Sequence, residues 1–260
     1  MLSVLHNSPT IANHPKFIAR AISDDRLPVA SVIEEIASQY RTIPAGTDIY
    51  SEGEASDDLY MVVEGWVFQH QILEDGRRQI LDFALPGSLL GFQPDRGAEM
   101  THAAEALTRA TVAVIPRDRL GEFLSRDPEL GLRVISAAAG ALNTAYESLT
   151  DVGRRTAREA VAHLLLRLFS RICAAGPQVA GTAISFPLTQ EHIGDALGLT
   201  AVHVCRTLRC LREKGVVQLT NGKLSVLDPG ALAEIAGCMP DAEASSGTQI
   251  PSRERMRRVG

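Results

Sequence analysis

The pattern of hydrophobic and polar positions changes twice along this chain. Between Arg41 and Pro116, apolar residues alternate with polar ones in short runs, at 48–51, 59–63, 66–73, 79–84 and 110–115. Alternation with a period of two is typical of strands buried on one face. Glycines separate the runs, and Glu74-Asp75-Gly76 predicts a hairpin turn. This segment is predicted to form a small antiparallel sandwich or barrel, with Trp66 and Phe68 in its core.

Helical spacing marks three further stretches, Val29–Tyr40, 127–153 and Thr156–Cys173. The longest opens at Asp127-Pro128, since proline suits the first turn of a helix. Its apolar residues recur at steps of three or four, and the predicted dimerisation residues are Val134, Ala137, Ala141, Ala145, Leu149 and Val152. A stripe this long and rich in alanine favours close approach to a second copy of the chain. Packing on the chain's own strands is the alternative, because periodicity does not separate the two.

Residues 186–219 carry the pattern of a helix-turn-helix. Thr189 is a natural N-cap, and His192 stands where a capping box would be completed. Gly198 is expected to end the first helix in a left-handed conformation, and Thr200 to cap the second. The second helix then has an apolar face turned to the core, formed by Val204, Leu208 and Leu211.

The opposite face of that second helix is predicted to read DNA in the major groove. Arg206 is expected to contact a guanine, and Arg209 a phosphate. Strands on either side of Asn221-Gly222, a type I′ turn signal, predict a wing. The predicted DNA-contacting residues are Thr189, Thr200, Ala201, Val202, His203, Cys205, Arg206, Arg209 and Lys223.

The distribution of charge supports a nucleic-acid partner, although the net charge of −5 does not. Residues 1–150 carry 12 Lys and Arg against 21 Asp and Glu, a net charge of −9. Residues 151–223 carry 10 against 5, a net charge of +5. An acidic body with one basic segment concentrates positive potential on one surface. A solvated basic face without a partner is the alternative.

The cysteines and the termini indicate a cytoplasmic protein. Four cysteines, Cys173, Cys205, Cys210 and Cys238, lie in the C-terminal third without a Cys-x-x-Cys pair. This argues against a disulfide framework or a zinc site. No apolar run reaches the roughly 18 residues that span a bilayer, and the N-terminus lacks the pattern of a secretory signal. No membrane partner is expected.

Residues 40–235 resemble the Crp/Fnr superfamily of transcription regulators. The resemblance lies in IPAGTDIYSEGEASDDLYMVVEGWV, LPGSLLGF, the long helix and LTQEHIGDALGLTAVHVCRTLRCL, in the family's order. It implies an α+β fold, with an N-terminal antiparallel β-roll of the cyclic-nucleotide-binding type, a long dimerisation helix and a C-terminal winged helix-turn-helix. It also implies a homodimer that binds double-stranded DNA at a two-fold site and activates transcription through RNA polymerase.

The resemblance gives the predicted domain bounds. They are 1–26 for a lead-in, 27–126 for the effector domain, 127–153 for the dimerisation helix, 154–236 for the winged helix and 237–260 for a disordered tail.

Two departures from the family remove its best-known signals. Its cyclic-nucleotide binders carry Gly-Glu and then Arg-Ser/Thr-Ala, whereas this chain has Gly91-Phe92 and then Met100–Ala104, without the glutamate or the arginine. A buried phosphate without a cation is costly, so control by cyclic AMP is not expected. The iron–sulfur members of the family need cysteines near the N-terminus, and none precedes Cys173. No iron–sulfur cluster is expected either.

Candidate sensors remain in both halves of the chain. A thiol beside a guanidinium and near a helix N-terminus can be oxidisable, so Cys205 is a candidate redox switch. The alternative is a small residue tolerated where the backbone approaches DNA. His70 and His102 could ligate a haem, although a hydrogen-bonded role is favoured. His163 is expected to be a hydrogen-bonded helix residue, and no metal site is expected.

The sequence therefore predicts a sequence-specific DNA-binding regulator and not an enzyme. A regulator gated by haem or another small molecule and a protein-interaction module of the same fold are the alternatives. A metal-dependent cupin enzyme is disfavoured because His70 and His102, without a His-x-His pair, do not provide a two-histidine, one-carboxylate set.

Overall fold

The computed structural model describes residues 35–173 and 183–238. The predicted lead-in, residues 174–182 and the part of the predicted tail beyond Cys238 lie outside the described residues. The first half of the predicted helix over Val29–Tyr40 lies outside them as well.

Residues 39–116 form two four-stranded antiparallel sheets that face each other as a β-roll. The strands are β1 (Gln39–Ile43), β2 (Asp48–Tyr50), β3 (Asp58–Glu64), β4 (Val67–Ile72), β5 (Arg78–Ala84), β6 (Leu89–Leu90), β7 (Ala103–Ala106) and β8 (Ala110–Pro116). Their order is β1-β8-β3-β6 in one sheet and β2-β7-β4-β5 in the other. The predicted antiparallel β domain is confirmed. The helix predicted to reach Tyr40 is wrong at its C-terminal end, because Gln39 and Tyr40 pair with β8.

The core of the roll lies between the two sheets. The buried residues there are Ile43, Ile49, Tyr50, Tyr60, Val62, Val67, Ala84, Leu90, Met100, Ala104, Ala106, Ala110, Val112 and Val114. Gly65 makes the turn from β3 to β4 with a φ of 90°. A Cβ at this position would lie 2.5 Å from the carbonyl oxygen of Arg109, so glycine lets the two backbones meet.

The helices and the second, smaller sheet follow the roll. The helices are α1 (Arg117–Arg126), α2 (Pro128–Gly153), α3 (Ala157–Cys173), α4 (Gln190–Leu197), α5 (Ala201–Glu213) and α6 (Pro229–Ile235). The strands β9 (Ala183–Ser185), β10 (Val217–Thr220) and β11 (Lys223–Val226) form an antiparallel sheet in the order β10-β11-β9. The long helix and the winged helix-turn-helix that the pattern predicts are both present. No helix in the described part of the chain is long and apolar enough to cross a membrane.

The long helix α2 leaves one apolar face uncovered. Leu132, Ile135, Leu142, Tyr146 and Leu149 are each more than half exposed. They are spaced three, seven, four and three residues apart, which places them along one side of the helix. The other side of its C-terminal half packs on α3, where the Arg167 guanidinium donates to the Thr144 carbonyl and to the Ser148 hydroxyl.

A second hydrophobic core joins the β-roll to the winged helix. Trp66 and Phe68 belong to it, together with Phe186, Ile193 and Leu197 of the C-terminal domain. The expectation that Trp66 and Phe68 pack in the interior of the roll is therefore wrong. Alternation along β4 points Val67 into the roll and Phe68 to the outer face, which the winged helix covers.

A buried ionic network fixes the junction between α2 and α3. The Asp151 carboxylate has no exposed side-chain surface and accepts hydrogen bonds from Arg155 and from His163 Nδ1, the latter at 2.9 Å. His163 is thus a hydrogen-bonded helix residue, as predicted. The network spans the point where the chain leaves α2 and enters the winged helix.

Replacing Asp151→Asn tests this junction. The substitution leaves the Arg155 charge without its carboxylate, and we expect the free energy of unfolding to fall by about 3 kcal/mol in urea titrations. Asp75→Asn is the control, because the Asp75–Arg77 pair is exposed and is expected to contribute little. An equally small change in both variants would show that the network does not hold the junction.

Candidate DNA-binding site

Local hydrogen bonds define both ends of the helix-turn-helix. At the start of α4, the His192 N–H donates to Thr189 Oγ1 at 3.2 Å, and the Thr189 N–H donates to His192 Nδ1 at 3.2 Å. This is the predicted capping box, with a histidine in the place usually taken by Glu or Gln. Gly198 ends α4 with a φ of 65°, and the Thr200 hydroxyl accepts from the His203 N–H to start α5.

A second glycine lets the turn lie close against α4. The Leu199 N–H donates to the Gly194 carbonyl at 3.0 Å. A Cβ on Gly194 would lie 2.5 Å from the carbonyl oxygen of Leu199. Because real Cβ atoms do not come that close to a backbone oxygen, only glycine fits here without a shift. The sequence analysis missed this role of Gly194.

The two faces of α5 separate as predicted. Val204, Leu208 and Leu211 are buried against the rest of the domain. On the other side, Val202 is 59% exposed, and Arg206 and Arg209 are exposed as well. Ala201 and Cys205 are partly buried, while Thr189, Thr200, His203 and Lys223 are exposed. The structure therefore places the predicted DNA-contacting residues on α5, at the caps and on the wing.

The wing is a three-stranded sheet whose turn lies beside Lys223. Asn221 and Gly222 have φ angles of 52° and 67°, as a type I′ turn requires. The Phe186 N–H donates to the Gly222 carbonyl at 2.7 Å, so the end of β9 supports the turn. Strand β9 was not predicted, because three residues are too short to show alternation.

Basic side chains lie on the reading face of α5 and in the cleft beside it. Among the described residues, none forms an ion pair with Arg158, Arg206, Arg209, Lys214 or Lys223. A cleft of about 1000 Å³ beside α5 is lined by Arg158, Arg206 and Lys214, with Glu159 and Glu234 also on its wall. Arg158 and Lys214 were missed by the sequence analysis. The run Arg154-Arg155-Thr156-Ala157-Arg158 ahead of α3 is the signal that points to the first of them.

The candidate redox residue Cys205 lies on the reading helix. Cys205 is a partly buried free thiol on α5, next to Arg206. Within residues 35–173 and 183–238, no group of three His, Cys, Asp or Glu side chains could hold a metal ion. His70 is buried, and its Nδ1 has no hydrogen-bond partner among the described residues.

A partly buried polar cluster surrounds His102 at the edge of the core of the β-roll. Gln69 Nε2 lies 2.8 Å from His102 Nε2 and donates to the Tyr50 hydroxyl at 3.3 Å. The Tyr50 hydroxyl also lies 3.3 Å from His102 Nε2, and Thr101 Oγ1 lies 3.1 Å from His102 Nδ1. Burial raises the pKa of Tyr50 to about 12 and lowers the pKa of His102. Both groups are therefore neutral near pH 7.

Comparison with known proteins agrees with this geometry. The Crp-like helix-turn-helix domain matches residues 159–235, and the cyclic nucleotide-binding domain matches residues 40–127. The nitrogen fixation regulation protein FixK of Bradyrhizobium diazoefficiens is 33% identical over 74% of this chain and 79% of its own length. The chain belongs to the Crp/Fnr family of DNA-binding transcription regulators.

Other members of the family show the same extent of similarity. The transcriptional activatory protein AadR of Rhodopseudomonas palustris is 35% identical over 75% of this chain and 80% of its own length. The solved structure of FixK2 from Bradyrhizobium japonicum has a TM-score of 0.69 and 30% identity, covering 78% of this chain and 98% of that one. These relatives are regulators and not enzymes, which confirms that part of the prediction.

The β-roll of this Crp/Fnr member does not fit the cyclic nucleotide after which its domain is named. The stretch Met100–Ala104, which corresponds to the family's phosphate-binding motif, contributes His102, and this side chain is neutral and hydrogen-bonded to Tyr50 and Gln69. Phe92 follows Gly91 where cyclic-nucleotide binders of the family have a glutamate, so this position offers no carboxylate to a ribose hydroxyl. A phosphate there would lose its hydration without gaining a cation.

Gly194→Ala tests the close approach of turn and helix. The added methyl collides with the Leu199 carbonyl, so we expect the free energy of unfolding to fall by about 1–3 kcal/mol and DNA affinity to fall with it. Gly121→Ala in α1 is the control, because nothing lies within 4 Å of that position. It is expected to leave DNA binding unchanged. Equal effects of the two substitutions would contradict the geometry.

The capping histidine predicts a pH dependence of stability. Burial, and then the positive charge of Arg78, lower the pKa of His192, while Asp195 and Glu191 oppose the shift. The neutral ring is the form that accepts from the Thr189 N–H. A lowered pKa means that its contribution to stability is complete above the ordinary value of 6.5 and is lost as the pH falls through the lowered one.

We therefore expect urea titrations to show a free energy of unfolding that falls between about pH 7 and pH 5. His70 and His102, whose pKa values are also lowered by burial, add to this fall. His192→Gln keeps an acceptor at the third helix position but does not titrate, so its fall should be smaller. Identical pH dependence in the wild type and the variant would exclude His192 as a contributor.

Proposed function

We propose that this Crp/Fnr regulator acts in the cytoplasm as a homodimer that recognises a two-fold DNA site and activates transcription by contacting RNA polymerase. The exposed face of α5 carries the proposal, because Arg206, Arg209 and Val202 are uncovered in the position of a helix that reads the major groove. Arg158, Lys214 and Lys223, which have no ion-pair partner among the described residues, provide the phosphate contacts that such a helix needs.

The uncovered face of α2 supports the homodimer. Its exposed apolar residues, together with Ala139, follow one another at steps of three and four residues, which is the heptad pattern of a two-helix seam. The exposed residues are Leu132, Ile135, Leu142, Tyr146 and Leu149. The stripe predicted from the sequence lies on the neighbouring face and shares Leu149 with it. A monomer would leave these large apolar side chains in water. In the dimer the two reading helices would lie roughly 34 Å apart, one turn of DNA.

The residues of α5 suggest the base preferences of each half-site. Arg206 can donate two hydrogen bonds to O6 and N7 of a guanine. Val202, where many family members have a glutamate that accepts from cytosine, instead suits the methyl group of a thymine. The methyl side chain of Ala201 has no hydrogen-bond donor or acceptor. The half-site thus keeps one guanine and differs at its neighbours from the family's commonest sequences.

Selection of a random duplex library by the purified full chain tests the proposal. A two-fold motif with one guanine per half-site is expected. Arg206→Ala should abolish the preference for that guanine at a cost of about 1–3 kcal/mol, since base contacts carry specificity. Lys214→Ala is the matched control, which should keep the motif and reduce the salt dependence of binding by about one phosphate.

Absence of any enriched motif from a folded dimer would contradict the proposal. The same selection after mild peroxide tests Cys205, because loss of binding that Cys205→Ser prevents would make the thiol a redox switch. A protein-interaction module of the same fold would show no salt-dependent binding to DNA.

The dimer has a separate test in the oligomeric state. Leu142→Glu places a charge in the seam, so sedimentation should show monomers, and affinity for a two-fold duplex should fall with it. Leu73→Glu is the matched control, since Leu73 is also exposed but lies at the tip of the β4–β5 hairpin. A Leu142→Glu protein that remains dimeric would place the interface elsewhere.

A further inference from the structure

The β4–β5 hairpin forms polar contacts with the first helix of the helix-turn-helix. Arg78 Nε on β5 donates to Asp195 Oδ2 on α4 at 2.9 Å. The neighbouring Gln79 Nε2 donates to the Ala196 carbonyl at 3.3 Å, one of the carbonyls left open at the end of α4. Both bonds join the β-roll directly to the DNA-binding domain. Arg78 and Asp195 are about three-quarters buried.

The β-roll holds the Arg78 guanidinium in place from its own side. The guanidinium carbon lies 5.0 Å from the centre of the Phe68 ring, and Arg78 Nη1 lies 4.0 Å from Glu105 Oε2. Phe68 itself is fully buried. A guanidinium that is stacked and partly neutralised loses less side-chain freedom on pairing than one on an open surface. The pair with Asp195 therefore has a defined geometry.

Helix α4 is fixed between the hairpin and the long helix. The hairpin contacts Asp195 and Ala196 near the C-terminal end of α4. The cap residue of that same end, Gly198, lies near Val152 of α2, where a Cβ on the glycine would be 3.8 Å from Val152 Cγ1. The reading helix α5 packs on α3, α4 and β10, all within the winged helix. The direction of α5 relative to α2 is therefore set through two helices, α3, which the Asp151 network joins to α2, and α4, which the hairpin contacts.

From this arrangement we propose that Arg78 is a positioning residue for DNA binding. By pairing with Asp195 it orients α4, and through α4 the reading helix, so that both helices of a dimer meet successive half-sites. The inference rests on the proposed two-fold binding. Arg78 lies on the β-roll, away from the reading face, so its effect depends on the spacing of two half-sites and not on contact with bases.

The test compares two duplexes with the full chain. One contains the selected two-fold site, and in the other one half-site is scrambled. Arg78→Ala should raise the Kd for the two-fold duplex about tenfold and the Kd for the single half-site less than threefold, because only the two-fold duplex depends on relative orientation. Arg77→Ala is the matched control, since Arg77 pairs with Asp75 inside the hairpin and is expected to change neither Kd.

A double-mutant cycle separates positioning from general damage. Asp195→Ala should reproduce the loss on the two-fold duplex, and the variant with both substitutions should be no worse than either single variant. Urea titration and sedimentation of each variant check folding and the dimer. If Arg78→Ala does not fold, Arg78→Lys, which keeps the charge but lacks the planar fork, replaces it and is expected to show the same selective loss at smaller size.

Three results would overturn the inference, namely equal losses on both duplexes, multiplicative losses in the cycle, or tighter binding by Arg78→Ala. Failure of the proposed function has a different signature, because the wild type would then not distinguish the two-fold duplex from the single half-site.

Discussion

Burial of the outer face of β4 and β5 against the winged helix is the constraint on which the rest of the structure depends. The side chains of Phe68, Ile80 and Phe83 point outward from the β-roll, and residues of the C-terminal domain bury them almost fully. Each such side chain contributes about 1.5–3 kcal/mol on leaving water. Separating the domains would expose this whole surface. The β-roll, the end of α2 and the helix-turn-helix therefore hold one relative arrangement.

This arrangement leaves the reading face of α5 uncovered while the supporting helices are fixed. Gly194 brings the turn against α4, Gly198 and Thr200 set the angle at which α5 begins, and three apolar residues of α5 anchor it. What remains outside is a short basic surface on an otherwise acidic protein. At the edge of the roll's apolar core, Tyr50, Gln69 and His102 form hydrogen bonds with one another. The effector fold of the family is thus kept, with these polar groups bonded among themselves.

The features read correctly from the sequence are those set by near neighbours. Thr189, Gly198, Thr200 and the Asn221-Gly222 turn depend on hydrogen bonds and φ angles within four residues, and each is where the pattern predicts it. Strands β1, β6, β7 and β9 escaped prediction because they are short and are defined by partners distant in the chain. The alternation of side chains along a strand indicates that Phe68 and Val67 point to opposite faces of the sheet. It does not indicate which domain covers Phe68.

Tertiary proximity explains the remaining differences at the site. Arg158 lies on α3 and Lys214 directly follows α5, so the two residues are distant in the chain and meet in the cleft beside α5. Arg78 precedes the long helix in the sequence and Asp195 follows it, so only the folded structure shows that the two residues pair. On α2 the predicted dimerisation residues and the exposed apolar residues differ by about one position along the sequence. A pattern that repeats every 3.5 residues drifts by about this much over several turns of a helix with 3.6 residues per turn.

Hydroxyl-radical footprinting of the full chain on a duplex carrying the selected site tests the central claim most directly. The account predicts two equal protected patches related by a two-fold axis, with centres one helical turn apart, since two α5 helices enter successive major grooves. A single protected patch, or two patches at another spacing, would contradict it, because the uncovered face of α5 would then not read DNA as part of a symmetric dimer.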